Sequence, residues 1–130
     1  MINLEPMAAM AAVKMVGNNV DIENMINKSL MVLAEQGVCA FGLFLASRHR
    51  AQDITAAEAI HTALNGLLLS AALVEIEDAR PNADFYKRIT LAQQDEGDIA
   101  ALQRLLLTKQ LLETALTYGR YQAKAVGELR

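Results

Sequence analysis

Residues 30–50 read LMVLAEQGVCAFGLFLASRHR: eleven consecutive uncharged positions, Gly37 to Ser47, followed by a basic triplet. Within that run Val38, Phe41, Leu43, Phe44 and Leu45 cannot share one helical stripe, so a helix here needs cover on every side, from its own fold or from another subunit. A bilayer span is excluded by length. Glu35 and Gln36 interrupt the run, and crossing a membrane takes about 20 apolar residues. The next apolar stretch, Thr62 to Val74, is also too short. The chain is therefore expected to be soluble, with no membrane partner.

The sequence is 130 residues long, enough for one core and one domain. Apolar content of 53% with only 5% aromatics reflects an Ala/Leu/Met-rich chain, which favours helix over sheet. Punctuation predicts an all-α, single-domain bundle of about five helices over residues 1–130. Pro6 opens the first, which runs to a Gly17-Asn18-Asn19 cap and turn. Asp21 caps the second, where Ile22, Met25, Ile26, Leu30 and Leu33 recur at helical spacing, and Gly37 ends or kinks it. The apolar third helix covers Val38 to Ser47, and Arg48 to Ile54 is a polar connection. Thr55-Ala-Ala-Glu58 has capping-box spacing and starts a fourth helix that fades near Asp78. Pro81-Asn82-Ala83-Asp84 is a turn leading to a brief helix from Phe85 to Gln93. Asp98 caps a long final helix to about Val126. In that last helix Leu105, Thr108, Leu112, Ala115, Gly119, Ala123 and Val126 form an inward stripe. Lys109, Glu113, Thr117, Arg120 and Lys124 lie opposite.

Chemistry leaves few marks. Cys39 is the single cysteine, which excludes a disulfide framework and suggests a reduced, cytoplasmic setting. The first residues lack a basic region ahead of an apolar run, so no secretory signal is expected. Glu58-Ala-Ile-His61 has the Glu-x-x-His spacing of carboxylate metal sites, but the chain has only one other histidine, His49, preceded by arginine. No nucleophile sits beside a base, and no glycine-rich phosphate loop follows a strand. No catalytic residue, metal site or cofactor is therefore expected.

Charge is distributed unevenly around a net −3. Residues 51–100 carry nine carboxylates against three cations, whereas residues 101–130 carry five cations against two carboxylates. Separated patches of opposite sign can stack copies of one subunit, acidic on basic, and a basic patch can hold phosphates.

Gly37-Val38-Cys39-Ala40-Phe41-Gly42-Leu43-Phe44-Leu45-Ala46-Ser47-Arg48 resembles the "Gly-Leu … Leu-Ala-Phe-Leu … Ser-Lys" helix of the small helical subunit of type III CRISPR RNA-guided effector complexes, of the RAMP-module (Cmr-type) kind. Leu107-Thr108-Lys109-Gln110-Leu111-Leu112 and Tyr118-Gly119-Arg120-Tyr121-Gln122-Ala123-Lys124-Ala125 are similar to two segments of that family's last helix, and Met7 to Val16 to its Ala-rich first helix. Tyr118 stands where the family favours Trp, and Val38 where it favours Leu. The resemblance implies a noncatalytic cytoplasmic subunit of antiviral defence. Several copies would stack beside other effector subunits and help hold target RNA on the guide. Under it Arg48, Arg50, Lys109, Arg120 and Lys124 contact phosphates, with Lys14 and Lys28 as weaker candidates, while Tyr118 and Tyr121 pack or stack on bases. The rival reading is a helical assembly adaptor or chaperone that uses the apolar third helix and never touches nucleic acid. A weaker third is a metal-carboxylate enzyme.

Overall fold

A computed structural model of the chain describes residues 4–17, 22–71, 73, 83–90 and 96–128. The expected all-α bundle is present. Among the described residues six helices follow in order: α1 (Glu5–Val16), α2 (Ile22–Gln36), α3 (Val38–Ala46), α4 (Ala51–Ser70), α5 (Ala83–Thr90) and α6 (Asp98–Glu128). No strand occurs among the described residues. The brief helix expected from Phe85 to Gln93 is present as α5, with residues 91–93 outside the described residues. The Asp21 cap, the Asn18-Asn19 and Pro81-Asn82 turns and the acidic residues Glu75, Glu77 and Asp95 lie outside the described residues.

Glycine sets two of the helix ends. Gly17 takes φ +49° and donates its N–H to the Val13 carbonyl, closing α1. Gly37 takes φ +97°, which only glycine adopts without strain, and turns α2 into α3. The buried residues of α1, namely Ala8, Ala11, Ala12, Met15 and Val16, follow the three-four spacing of one helical face. That face lies on α6 and α4. α2 packs on α6 and α3, α3 carries α5, and α4 meets α1, α2, α3 and α6. With so many neighbours α4 buries a broad arc that includes Ala56, Ile60, His61, Leu64 and Leu68. One buried cluster draws on all six helices. Each fully buried aliphatic side chain in it, such as Ile60 or Leu64, stabilises by about 1.5–3 kcal/mol.

α5 is short and is held by aromatic packing. Tyr86 is fully buried and stands edge-on to Phe41, with ring centroids 5.4 Å apart, and to Phe85, at 4.9 Å. The Tyr86 hydroxyl meets Nδ1 of the buried His61 at 2.7 Å. Gly42 makes this approach possible, since a Cβ there would sit 2.5 Å from the Tyr86 Cβ. Beyond α5, Arg104 Nη1 donates to the Ile89 carbonyl at 2.9 Å, while Nε and Nη2 donate to the Glu96 carboxylate at 3.0 and 3.2 Å. One guanidinium thus ties the end of α5 to the start of α6.

Three sequence expectations are corrected. The capping box at Thr55 does not form: α4 begins at Ala51, with Arg50 extended at its N-cap, and the Thr55 hydroxyl donates to the Ala51 carbonyl at 3.1 Å. Ala51-Gln52-Asp53-Ile54 contains no helix breaker, so the helix runs back one turn and the polar connection shrinks to residues 47–50. Asp98 is the first helical residue of α6 rather than its cap. α4 ends at Ser70, with Ala71 as its C-cap, and not near Asp78. In α3 the fold covers Val38, Phe41, Gly42 and Leu45 and leaves Leu43 54% exposed.

Candidate nucleic-acid interface

The predicted basic residues fall into two groups. Arg48 and Arg50 lie at the α3–α4 junction, while Lys109, Arg120 and Lys124 lie on α6. α3 and α6 do not pack as neighbours, and α2 lies against both.

Arg48 is folded back onto its own helix. Its Nε donates to the Phe44 carbonyl at 3.0 Å, Nη2 donates to Ser47 Oγ at 3.0 Å, and the guanidinium sits 4.0 Å above the Phe44 ring. The cation satisfies a carbonyl left open at the helix end, where the backbone dipole favours positive charge, and the ring adds a cation–π contact. Arg48 therefore has a structural task in place. Arg50 and the neighbouring His49 are exposed.

On α6, Lys109 reaches the Ala34 carbonyl at 3.4 Å and Glu113 at 3.9 Å. A half-exposed pair of this kind, with lysine preceding glutamate, is weak. Arg120 and Lys124 sit one turn apart on the same face, about 16 and about 22 Å along the axis beyond Lys109. The Arg120 guanidinium lies 5.4 Å from the Tyr121 ring centroid, and its buried Nε has no hydrogen-bond partner among the described residues. Lys124 is exposed, as are Lys14 and Lys28. Neither Arg48 nor Arg120 is paired with a carboxylate among the described residues.

The two tyrosines differ. The Tyr118 hydroxyl donates to Glu5 Oε1 at 2.5 Å, tying α6 to the start of α1. That bond to the carboxylate raises the phenol pKa above its ordinary value, with burial and the Glu5 charge adding in the same direction. Tyr121 is 58% exposed beside Arg120. Of the two, it is Tyr121 whose ring is open to a base.

Among the described residues no three His, Cys, Asp or Glu side chains converge as metal ligands, and His61 of the Glu-x-x-His pair is turned to Tyr86. No described helix is long and apolar enough to cross a membrane. The sequence reading missed one surface, the outer face of the first half of α6, where Ile99, Leu102 and Leu106 are exposed. Its signal was a surplus: Leu102 to Leu112 holds more leucines than one inward stripe can take. No family model matches the chain, and no curated protein or solved structure matches it significantly.

Proposed function

We propose that this chain is a noncatalytic, RNA-contacting scaffold subunit of the type III CRISPR effector kind, stacking in several copies among the other effector subunits and steadying target RNA on the guide. The observation that carries the reading is the Arg120–Lys124 face of α6. It presents two cations without carboxylate partners among the described residues, the half-buried Arg120 and the exposed Lys124, with the exposed Tyr121 ring beside them. Cations with open donors bind phosphate oxygens without reading sequence, and a flanking aromatic face can stack on an unpaired base. Arg50 offers a second exposed contact. Arg48 contributes through its remaining donor capacity, and Lys109 after exchanging its weak pair with Glu113. The resemblance of the α3 and α6 segments to the small-subunit family supplies the setting. Reversing both charges, Arg120→Glu with Lys124→Glu, tests the reading by fluorescence anisotropy on a single-stranded RNA. Loss of binding with an unchanged helical circular dichroism spectrum is expected. Binding equal to that of the unaltered chain would refute it.

A second reading has its own observation. The exposed apolar residues at the start of α6 fit a helical protein–protein adaptor or chaperone with no nucleic-acid role. Recovery of the chain from its native cells with a protein partner and without RNA would favour it.

A further inference from the structure

Two of the chain's three tyrosines are used by the fold. Tyr86 is buried, edge-on to Phe41 and Phe85, with its hydroxyl on His61. Tyr118 donates to Glu5 and ties α6 to α1. Tyr121 is different. Among the described residues it packs on no aromatic ring and its hydroxyl makes no hydrogen bond, and 58% of its surface is exposed. Its neighbours are cations. The Arg120 guanidinium lies over the ring, 5.4 Å from its centroid. Lys124 follows at the three-residue spacing that places side chains together on a helix surface. Neither cation is paired with a carboxylate among the described residues. Ala125, one turn after Tyr121, is exposed and adds only a methyl group, so nothing bulky screens the ring from that side.

We infer that Tyr121 makes this chain select an unpaired nucleotide over a duplex. A base stacks on the ring face turned away from Arg120, while Arg120 and Lys124 hold the phosphates around it. The inference rests on the RNA-contacting function proposed above and adds to it the state of the strand. Cations alone would not discriminate, since every nucleic acid presents phosphates. A base inside a duplex is already stacked on both faces, so only an unpaired or terminal base has a face to offer the ring. The spacing agrees. Arg120 and Lys124 are about 6 Å apart along the axis, with the ring at their flank, so a strand crossing both cations brings a base against it. The cation–π contact also orients the ring before RNA arrives, which lowers the cost of ordering it on binding. The contact thus falls at the edge of a paired stretch and not within it.

Fluorescence anisotropy on the full chain with three probes tests this: a single-stranded RNA, the same strand annealed to its complement, and the same strand carrying abasic residues throughout. The unaltered chain should bind the first about tenfold more tightly than the other two, the worth of one stacked base. Tyr121→Leu should lose that factor on the single strand alone, so that the three affinities converge, whereas Tyr121→Phe should keep the preference. The slope of log affinity against log salt should not move in Tyr121→Leu, because no charge is removed. An unaltered chain that binds single strand and duplex equally, or a Tyr121→Leu chain that retains the preference, overturns the inference. If binding is then still lost on Arg120→Glu with Lys124→Glu, the proposed function stands without this selectivity. Failure to bind any of the probes removes both.

Discussion

Gly42 and Tyr86 show how closely single residues are specified. The Tyr86 Cβ is fixed to backbone, so it cannot swing away from a methyl placed at Gly42. Gly42→Ala should therefore destabilise by about 1–3 kcal/mol, despite its better helix propensity, as read from chemical denaturation. Tyr86→Phe should lose about 1–3 kcal/mol in the same measurement, because it removes the buried 2.7 Å contact between the Tyr86 hydroxyl and His61 Nδ1. Tyr118 gives a test by pH. Its phenol is raised from the ordinary 10.0 by the bond to Glu5, so the fold favours the protonated form. This contribution is complete below the unfolded value and is lost as pH climbs past the raised folded one. Stability should fall in strong alkali, and Glu5→Gln should return the Tyr118 titration toward its ordinary range by tyrosinate absorbance, with Tyr118→Phe identifying the signal. At this scale the sequence was informative about type and silent about partners. The basic residues could be picked out by name, but no periodicity tells that Arg48 turns back onto Phe44 while Arg120 lies beside the Tyr121 ring. That choice depends on where α3 stops and on which rotamer its last turn allows.

Helices were legible in proportion to how one-sided their burial is. α1 buries a single clean stripe between proline and glycine, and its limits could be read directly. α4 is buried over a broad arc, so its pattern said little about where it begins, and a capping-box spacing at Thr55 was mistaken for its start. α6 carries two apolar stripes, one inward and one outward, and only the inward one matched the expectation of a single core. The junction of α5 and α6 depends on Arg104, whose three donors reach Glu96 and the Ile89 carbonyl. A fork of this kind is worth more than a point charge. Arg104→Ala should destabilise by about 2 kcal/mol and should lower hydrogen-exchange protection in α5 more than in α1. Arg104→Lys should rescue only part of the loss, since one ammonium cannot serve both the carboxylate and the carbonyl. Equal protection of α5 in Arg104→Ala and in the unaltered chain would show that the aromatic cluster alone holds that helix.

Over the whole molecule, an uneven charge distribution and an all-helical body coexist with surfaces that have no task inside the fold. The basic face of α6 lies toward its C-terminal end, and the exposed apolar residues Ile99, Leu102 and Leu106 occupy its first turns, so one long helix keeps two unlike surfaces at separate places. Composition foretold the helical body, because a chain rich in alanine and leucine and poor in β-branched alternation has little else to form. It did not foretell the division of α6, which arises only once α1 and α2 claim the inner face of its later turns. The central claim is that Arg120 and Lys124 bind RNA backbone, and the salt dependence of single-stranded RNA affinity tests it most directly. Two lost phosphate contacts on a single strand should make the slope of log affinity against log salt shallower by about 1.4. The Arg120→Ala, Lys124→Ala chain is predicted to show that reduction together with weaker binding; an unaltered slope would contradict the account.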